Sequence, residues 1–135
     1  MFITKIMDVI ILKIQESAEN YLEAILVLGL KNPSVRSVDI AAQLNFSKPS
    51  VSVAMKNLRE NGYINMSAEG RITLTDKGRE IAENVYEKHT LLTKWLVFLG
   101  VDPEIAAADA CKIEHVISSE SFEAIKNHVK SSSEN

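Results

Sequence analysis

The chain has 135 residues, 46% hydrophobic and 24% charged, with a formal net charge of −3. That suits an ordinary globular domain, or two small ones sharing a core. The negative balance excludes a uniformly basic nucleic-acid binder, and a single cysteine excludes an internal disulfide, which fits a reducing cytoplasm.

Residues 1 to 14, MFITKIMDVIILKI, are apolar enough to test as a membrane or targeting segment. Lys5, Asp8 and Lys13 interrupt them well short of the ~20 apolar residues a spanning helix needs. No small-residue cleavage site follows. They read as an apolar extension that packs on the body or on a partner subunit. Ser17 is placed to cap a first helix through Leu30, with Tyr21, Ile25 and Leu28 inward. Asn32, Pro33 and Ser34 break it.

Ser37 is positioned to cap a short helix over 38–44, VDIAAQL, with Ile40, Ala41 and Leu44 as its buried stripe. The tripeptide NFS makes a tight turn. Ser47 then caps a helix over 48–61, with Pro49 in the first turn, where proline is tolerated. Val51, Met55 and Leu58 repeat at helical spacing, and Gly62 stops the helix. The stretch YINMSAEGRITLT reads as two short strands around a glycine-containing turn.

A long helix starts at Thr75 and ends at Gly100. Asp102 and Pro103 open another over 103–117, and a last helix covers 120–130 before a frayed SSSEN tail. Leu91, Leu92, Trp95, Phe98 and Leu99 supply an apolar face on the long helix. It is a candidate dimerisation surface that also feeds the intrachain core.

A short helix, a turn, a longer helix and a hairpin make a winged helix-turn-helix. The second helix of such a unit enters the major groove with its N-terminal residues at the base edges. Charge agrees with this: residues 36 to 79 hold seven Lys/Arg against four Asp/Glu, net +3, leaving −6 elsewhere. Ser47, Lys48, Pro49, Ser50, Ser52 and Val53 form the candidate reading end. Lys56 and Arg59 suit phosphates further along, Arg36 adds to the basic set, and Arg71 in the hairpin reaches an adjacent backbone or minor groove.

The pentapeptide CKIEH, residues 111 to 115, holds the only cysteine. At about 100° per residue, positions i, i+3 and i+4 of a helix share a face. Cys111, Glu114 and His115 therefore point together, offering a thiolate, a carboxylate and an imidazole to a transition metal. There is no H-E-x-x-H pattern and no oxyanion-type glycine loop, which argues against an enzyme or a small-molecule substrate.

With SAENYLEAI, SVDIAAQLNFSKPSVSVAMKNLRENGYI, ITLTDKGREIA, KHTLLTKWL and DACKIEHVIS in this order, the chain resembles the diphtheria toxin repressor family of metal-dependent regulators over residues 16 to 130. Its layout is closer to the short manganese transport regulators than to the iron regulators. The resemblance implies a mainly α fold: a winged helix-turn-helix over 1–75 with a two-stranded wing, then a helical metal-binding and dimerisation region over 76–135.

It also implies the remaining ligands. Asn20 stands where the iron branch has methionine and the manganese branch aspartate. Glu23 matches a manganese-branch ligand, and His89 a histidine of both branches. Cysteine at 111 is the iron-branch choice, so the set is a hybrid. Thr93 and Ala107 replace two ancillary iron-branch ligands.

The implied cofactor is a divalent transition metal, Fe(II) ahead of Mn(II) because a thiolate is soft. Affinity should fall in acid, since the ligands must be deprotonated. The implied partners are double-stranded operator DNA and a second copy of the chain, in the cytoplasm and without a membrane. A metal-independent winged-helix regulator with Cys111 as a redox sensor is the alternative.

Overall fold

The computed structural model describes residues 2–133 and is mainly α-helical. The chain divides into two units. The first runs to Glu83 and the second begins at Asn84, inside one helix.

The first unit holds α1 (Phe2–Lys31), α2 (Ser37–Leu44), α3 (Lys48–Glu60), the strands β1 (Ile64–Met66) and β2 (Ile72–Leu74), and the start of α4 (Asp76–Phe98). It is the expected winged helix-turn-helix. Local chemistry sets each boundary. The backbone N–H of Arg36 donates to Asp39 Oδ2 at 2.9 Å, the return half of a capping box. Arg36 rather than Ser37 is therefore the N-cap of α2. Asn45 ends α2 in the left-handed region at φ 56°. Ser47 Oγ accepts from the Ser50 N–H at 3.3 Å, capping α3 as its sequence predicts.

The wing is antiparallel, pairing Ile64 with Leu74, Asn65 with Thr73 and Met66 with Ile72. One further bond, Ile72 N–H to the Val35 carbonyl at 2.8 Å, ties it to the α1–α2 connection. Leu22, Ile25, Ile40, Val51, Met55, Leu58, Ile64 and Ile72 fill the interior. Thr75 Oγ1 accepts from the Gly78 N–H at 3.2 Å and donates to the Gly62 carbonyl at 2.7 Å, fixing where α4 leaves the wing. Gly78 is packed so tightly that a Cβ there would run into the Tyr63 carbonyl oxygen.

Two N-terminal expectations are corrected. Ser17 is no cap: α1 is helical from Phe2 and Ser17 lies inside it. Residues 2–28 contain neither Gly nor Pro, so a serine alone cannot stop the helix. Nor does the extension pack on the body, and of the two placements expected for it the partner subunit is the one left. Ile3, Ile6, Met7, Ile10 and Ile14 are all exposed, on the helix face that carries the inward Tyr21, Ile25 and Leu28 further along. Among the described residues no helix is long and apolar enough to cross a membrane.

The second unit holds the rest of α4, α5 (Pro103–Ile113) and α6 (Ser119–Ser133). Asp102 Oδ2 accepts from the N–H groups of Glu104 and Ile105 at 3.1 and 3.4 Å, and Ser118 Oγ accepts from Ser121 at 3.1 Å. Val85, Leu92, Ala106, Ala110 and Phe122 are its buried apolar residues. Lys126 bonds Glu87 across α4 and α6 at 2.5 Å, which raises the lysine's pKa.

Here too boundaries shift. α5 stops at Ile113, four residues before the expected end at 117. The Val116 N–H bonds back only three residues, to Ile113, tightening the last turn before Ser118 restarts the chain. The tail is not frayed from Ser131: α6 reaches Ser133, and Ser131 Oγ donates to the Asn127 carbonyl at 3.0 Å. Glu134 and Asn135 lie outside the described residues.

Candidate metal centre and nucleic-acid interface

Helix α3 is two-sided. Val51, Met55 and Leu58 face the core, while Lys48, Pro49, Ser50, Ser52, Val53, Lys56 and Arg59 are exposed. The residues chosen as DNA contacts thus form one open surface at the N-terminal end and outer face of the helix. Ser47 and Ser50 are partly committed to each other, their hydroxyls 2.8 Å apart. Arg59 leans toward the wing, with Nη1 3.9 Å from Met66 Sδ.

Arg36 and Arg71, named separately from the sequence, come together. With Ser34, Ser67 and Glu69 they line a cleft of about 300 Å³ between the start of α2 and the wing turn. The Ile72–Val35 bond places them there. Glu69 itself was missed. Hydrogen bonds from its own backbone N–H and from the Ser67 hydroxyl, with smaller help from Arg71 and Arg36, hold its carboxyl below the usual range.

In the second unit, shortening α5 does not scatter CKIEH. Glu114 keeps helical angles, φ −57° and ψ −27°, and donates its N–H to the Ala110 carbonyl at 2.9 Å. The periodicity argument therefore survives one residue past the helix. The Cys111 thiol, a Glu114 oxygen and a His115 ring nitrogen lie within 4.8 Å of one another. Cys111 is exposed, whereas the Glu114 and His115 side chains are 0% and 1% exposed.

His89, on α4, is a further member. Its Nδ1 lies 2.9 Å from Glu114 Oε2. On the other side, Glu114 Oε1 is 3.4 Å from His115 Nε2 and has no hydrogen bond. A buried carboxylate oxygen left in that state is costly unless a cation or proton meets it. A thiol and an imidazole beside this carboxylate, with a second imidazole on its other oxygen, fit a divalent transition metal. Thr93, on the same helix, spends its hydroxyl on the His89 carbonyl at 2.7 Å.

Asn20 and Glu23 belong to the first unit, on α1 and both half-buried. Of the apolar face on α4, Leu92 is 1% exposed and belongs to the interior. Leu91 and Trp95 are half-buried, while Phe98 and Leu99 are 77% and 59% exposed. Trp95, Phe98 and Leu99 line a groove of about 240 Å³ with His128 and Val129 of α6. Exposed Ile105 and Val116 add apolar surface that the sequence reading did not single out.

A winged helix-turn-helix whose second helix opens a polar face, joined to a helical unit that clusters soft and hard donor side chains, fits a metal-responsive transcriptional regulator. Residues 13–70 match the N-terminal DNA binding domain of the iron dependent repressors, and residues 75–135 their metal binding and dimerisation domain. The chain belongs to that iron-dependent repressor family, the diphtheria toxin repressor group its motifs resemble.

It is 38% identical over 113 residues to an HTH-type transcriptional regulator of Methanocaldococcus jannaschii, covering 82% of this chain and 90% of that one. To the transcriptional regulator MntR of Salmonella typhimurium it is 36% identical over 110 residues, 82% of this chain and 70% of the other. A solved manganese-dependent transcriptional repressor in complex with manganese matches with a TM-score of 0.77 at 27% identity, over 84% of this chain. The chain spans 52% of that repressor's length.

Proposed function

We propose that the protein is a cytoplasmic repressor that binds operator DNA as a homodimer when loaded with a divalent transition metal, and so controls metal-uptake genes. The observation that carries this is the buried Glu114 carboxylate, whose Oε1 lacks a hydrogen bond while Cys111, His115 and His89 surround the group. In this reading Cys111, Glu114, His115 and His89 hold the ion, and Asn20 and Glu23 are ligands by the family resemblance. When bound, the ion supplies the positive charge that a buried carboxylate and thiolate need.

The chain's own groups do the rest. His89 holds Glu114 through Oε2, so the carboxylate is oriented before loading, with its other oxygen left toward His115. The open end of α3 enters the major groove, with Ser50, Ser52 and Val53 at base edges and Lys48, Lys56 and Arg59 on phosphates. Phe98 and Leu99 provide the exposed apolar surface for a second copy. Linkage is reciprocal: metal and DNA affinity rise together, by about 5- to 150-fold for a coupling of ~1–3 kcal/mol.

The thiolate favours Fe(II). The 36% identity to MntR supports Mn(II) as the second reading. Titrating duplex DNA with the protein in Fe(II), Mn(II), Zn(II) or chelator tests both. Chelator should abolish tight binding, and the ion acting at the lowest free concentration is the activator. If oxidation of Cys111 releases DNA while chelator does nothing, the redox-sensor reading replaces this one.

A further inference from the structure

The cleft between α2 and the wing brings Arg36 within reach of Arg71, thirty-five residues later in the chain, through the Ile72–Val35 backbone bond. The wing turn that carries Arg71 is itself held. The Ser67 N–H bonds the Arg71 carbonyl at 2.9 Å, the Arg71 N–H bonds Ser67 Oγ at 3.0 Å, and Gly70 takes φ +84°. Both guanidinium groups are thus presented by backbone that is tied at each end. At the N-terminus of α2 the capping N–H of Arg36 is already spent on Asp39. What the cleft's lining offers an anion is its two guanidiniums and the hydroxyls of Ser34 and Ser67.

One acid shares this space. Glu69 sits in the turn between Ser67 and Arg71 and lines the same cleft as both arginines; hydrogen bonds from its own backbone N–H and from Ser67, with smaller help from Arg71 and Arg36, hold its carboxyl below the usual range. The cleft therefore carries two cations and one built-in anion. A DNA phosphodiester entering the cleft would meet the two guanidiniums that Glu69 lies beside and the Ser67 hydroxyl it shares, since carboxylate and phosphodiester are both singly charged oxygen acceptors.

We propose that this cleft is a binding site for one backbone phosphate of duplex DNA, beyond the contacts of α3, and that Glu69 is its internal counter-ion, displaced when the phosphate enters. Glu69 lowers the protein's affinity for DNA at large. Only a duplex already engaged by α3 holds a phosphate close enough to compete with a carboxylate tethered in place. The inference rests on the DNA-binding reading above.

The test compares full-length, metal-loaded variants on a duplex selected from a random pool by the wild-type protein. Glu69→Gln should tighten binding by about three- to tenfold, the scale of one removed like charge at a partly solvated contact. The gain should vanish in Glu69→Gln carried together with Arg36→Ala and Arg71→Ala. The double arginine variant alone should lower the slope of log affinity against log salt by about 0.9, the loss of one phosphate contact. Glu104→Gln removes an equal charge from a residue that does not line the cleft and should leave affinity unchanged, which separates a local effect from one of net charge.

Circular dichroism checks that each variant folds, which the exposure of all three cleft side chains favours. No gain from Glu69→Gln, a gain that survives loss of both arginines, or an equal gain from Glu104→Gln overturns the proposal. If these fail while the wild type still binds the duplex with metal, only the cleft assignment falls. If the wild type binds no duplex under any metal condition, the DNA-binding reading falls and takes the cleft with it.

Discussion

His89 Nδ1 lies 2.9 Å from Glu114 Oε2, joining α4 to the residue just past the end of α5. The carboxylate is buried, and its other oxygen makes no hydrogen bond, with His115 Nε2 at 3.4 Å. A charge kept in this condition destabilises the metal-free fold and serves the loaded one. Glu114→Gln preserves the shape and removes the charge. In chelator it should melt a few degrees above the wild type, on the order of 1 kcal/mol of relief. With saturating Mn(II) or Fe(II) the order should reverse, because only the wild type gains from ligand binding. Thermal melts in both conditions read this. A variant that melts lower in chelator would show that Glu114 is a structural ion-pair member instead.

Ser47 is both the N-cap of α3 and a candidate DNA contact, and two substitutions separate these roles. Ser47→Ala loses the cap, so stability should drop by about 0.5–2 kcal/mol in urea unfolding. Ser47→Asp keeps a capping oxygen and suits the positive helix end, so stability should hold. Its charge, however, faces the phosphates, and duplex affinity should fall at least tenfold. Equal DNA binding by the wild type and Ser47→Asp would remove the N-terminus of α3 from the interface.

Where a boundary depends on local chemistry, the sequence was a good guide. Ser47, Asp102 with Pro103, Gly62 and Gly100 mark helix ends that the structure keeps within a residue or two. Cys111, Glu114 and His115 were legible as a cluster because helical angles persist through Glu114. Ser17 misled because a capping residue marks an end only when something upstream prevents helix, and nothing does. The pairing of His89 with Glu114 and the convergence of Arg36, Glu69 and Arg71 could not be read from spacing. Each depends on a tertiary contact between elements far apart in the chain.

Gly78 shows how a single missing side chain lets the first turn of α4 start against the wing. It sits in the first turn of α4, against the carbonyl oxygen of Tyr63, where no rotamer change can make room for a Cβ. Thr75 fixes the same turn through its bonds to Gly62 and Gly78. Gly78→Ala should therefore destabilise the winged unit by about 1–3 kcal/mol, the usual scale of overpacking, despite alanine's better helix propensity. Urea unfolding followed by circular dichroism and by the fluorescence of Tyr21 and Tyr63, both in the winged unit, measures it. A neutral or stabilising result would mean that the α4–wing junction can yield enough to admit a methyl group.

The apolar residues near the end of α4 divide by exposure, and the division predicts opposite phenotypes. Leu92 is 1% exposed, so Leu92→Ala should cost about 2–5 kcal/mol and lower the melting temperature whatever the assembly state. Phe98 and Leu99 are 77% and 59% exposed, so Phe98→Asp with Leu99→Asp removes little from the interior. If these two side chains pack against a second copy, the pair of aspartates should leave the fold intact by circular dichroism and yield a monomer in sedimentation velocity. Such a monomer should also lose operator affinity, since a dimer grips two half-sites about one helical turn apart. A double aspartate variant that still sediments as the wild type does would move the self-association surface elsewhere, with exposed Ile105 and Val116 the next residues to substitute.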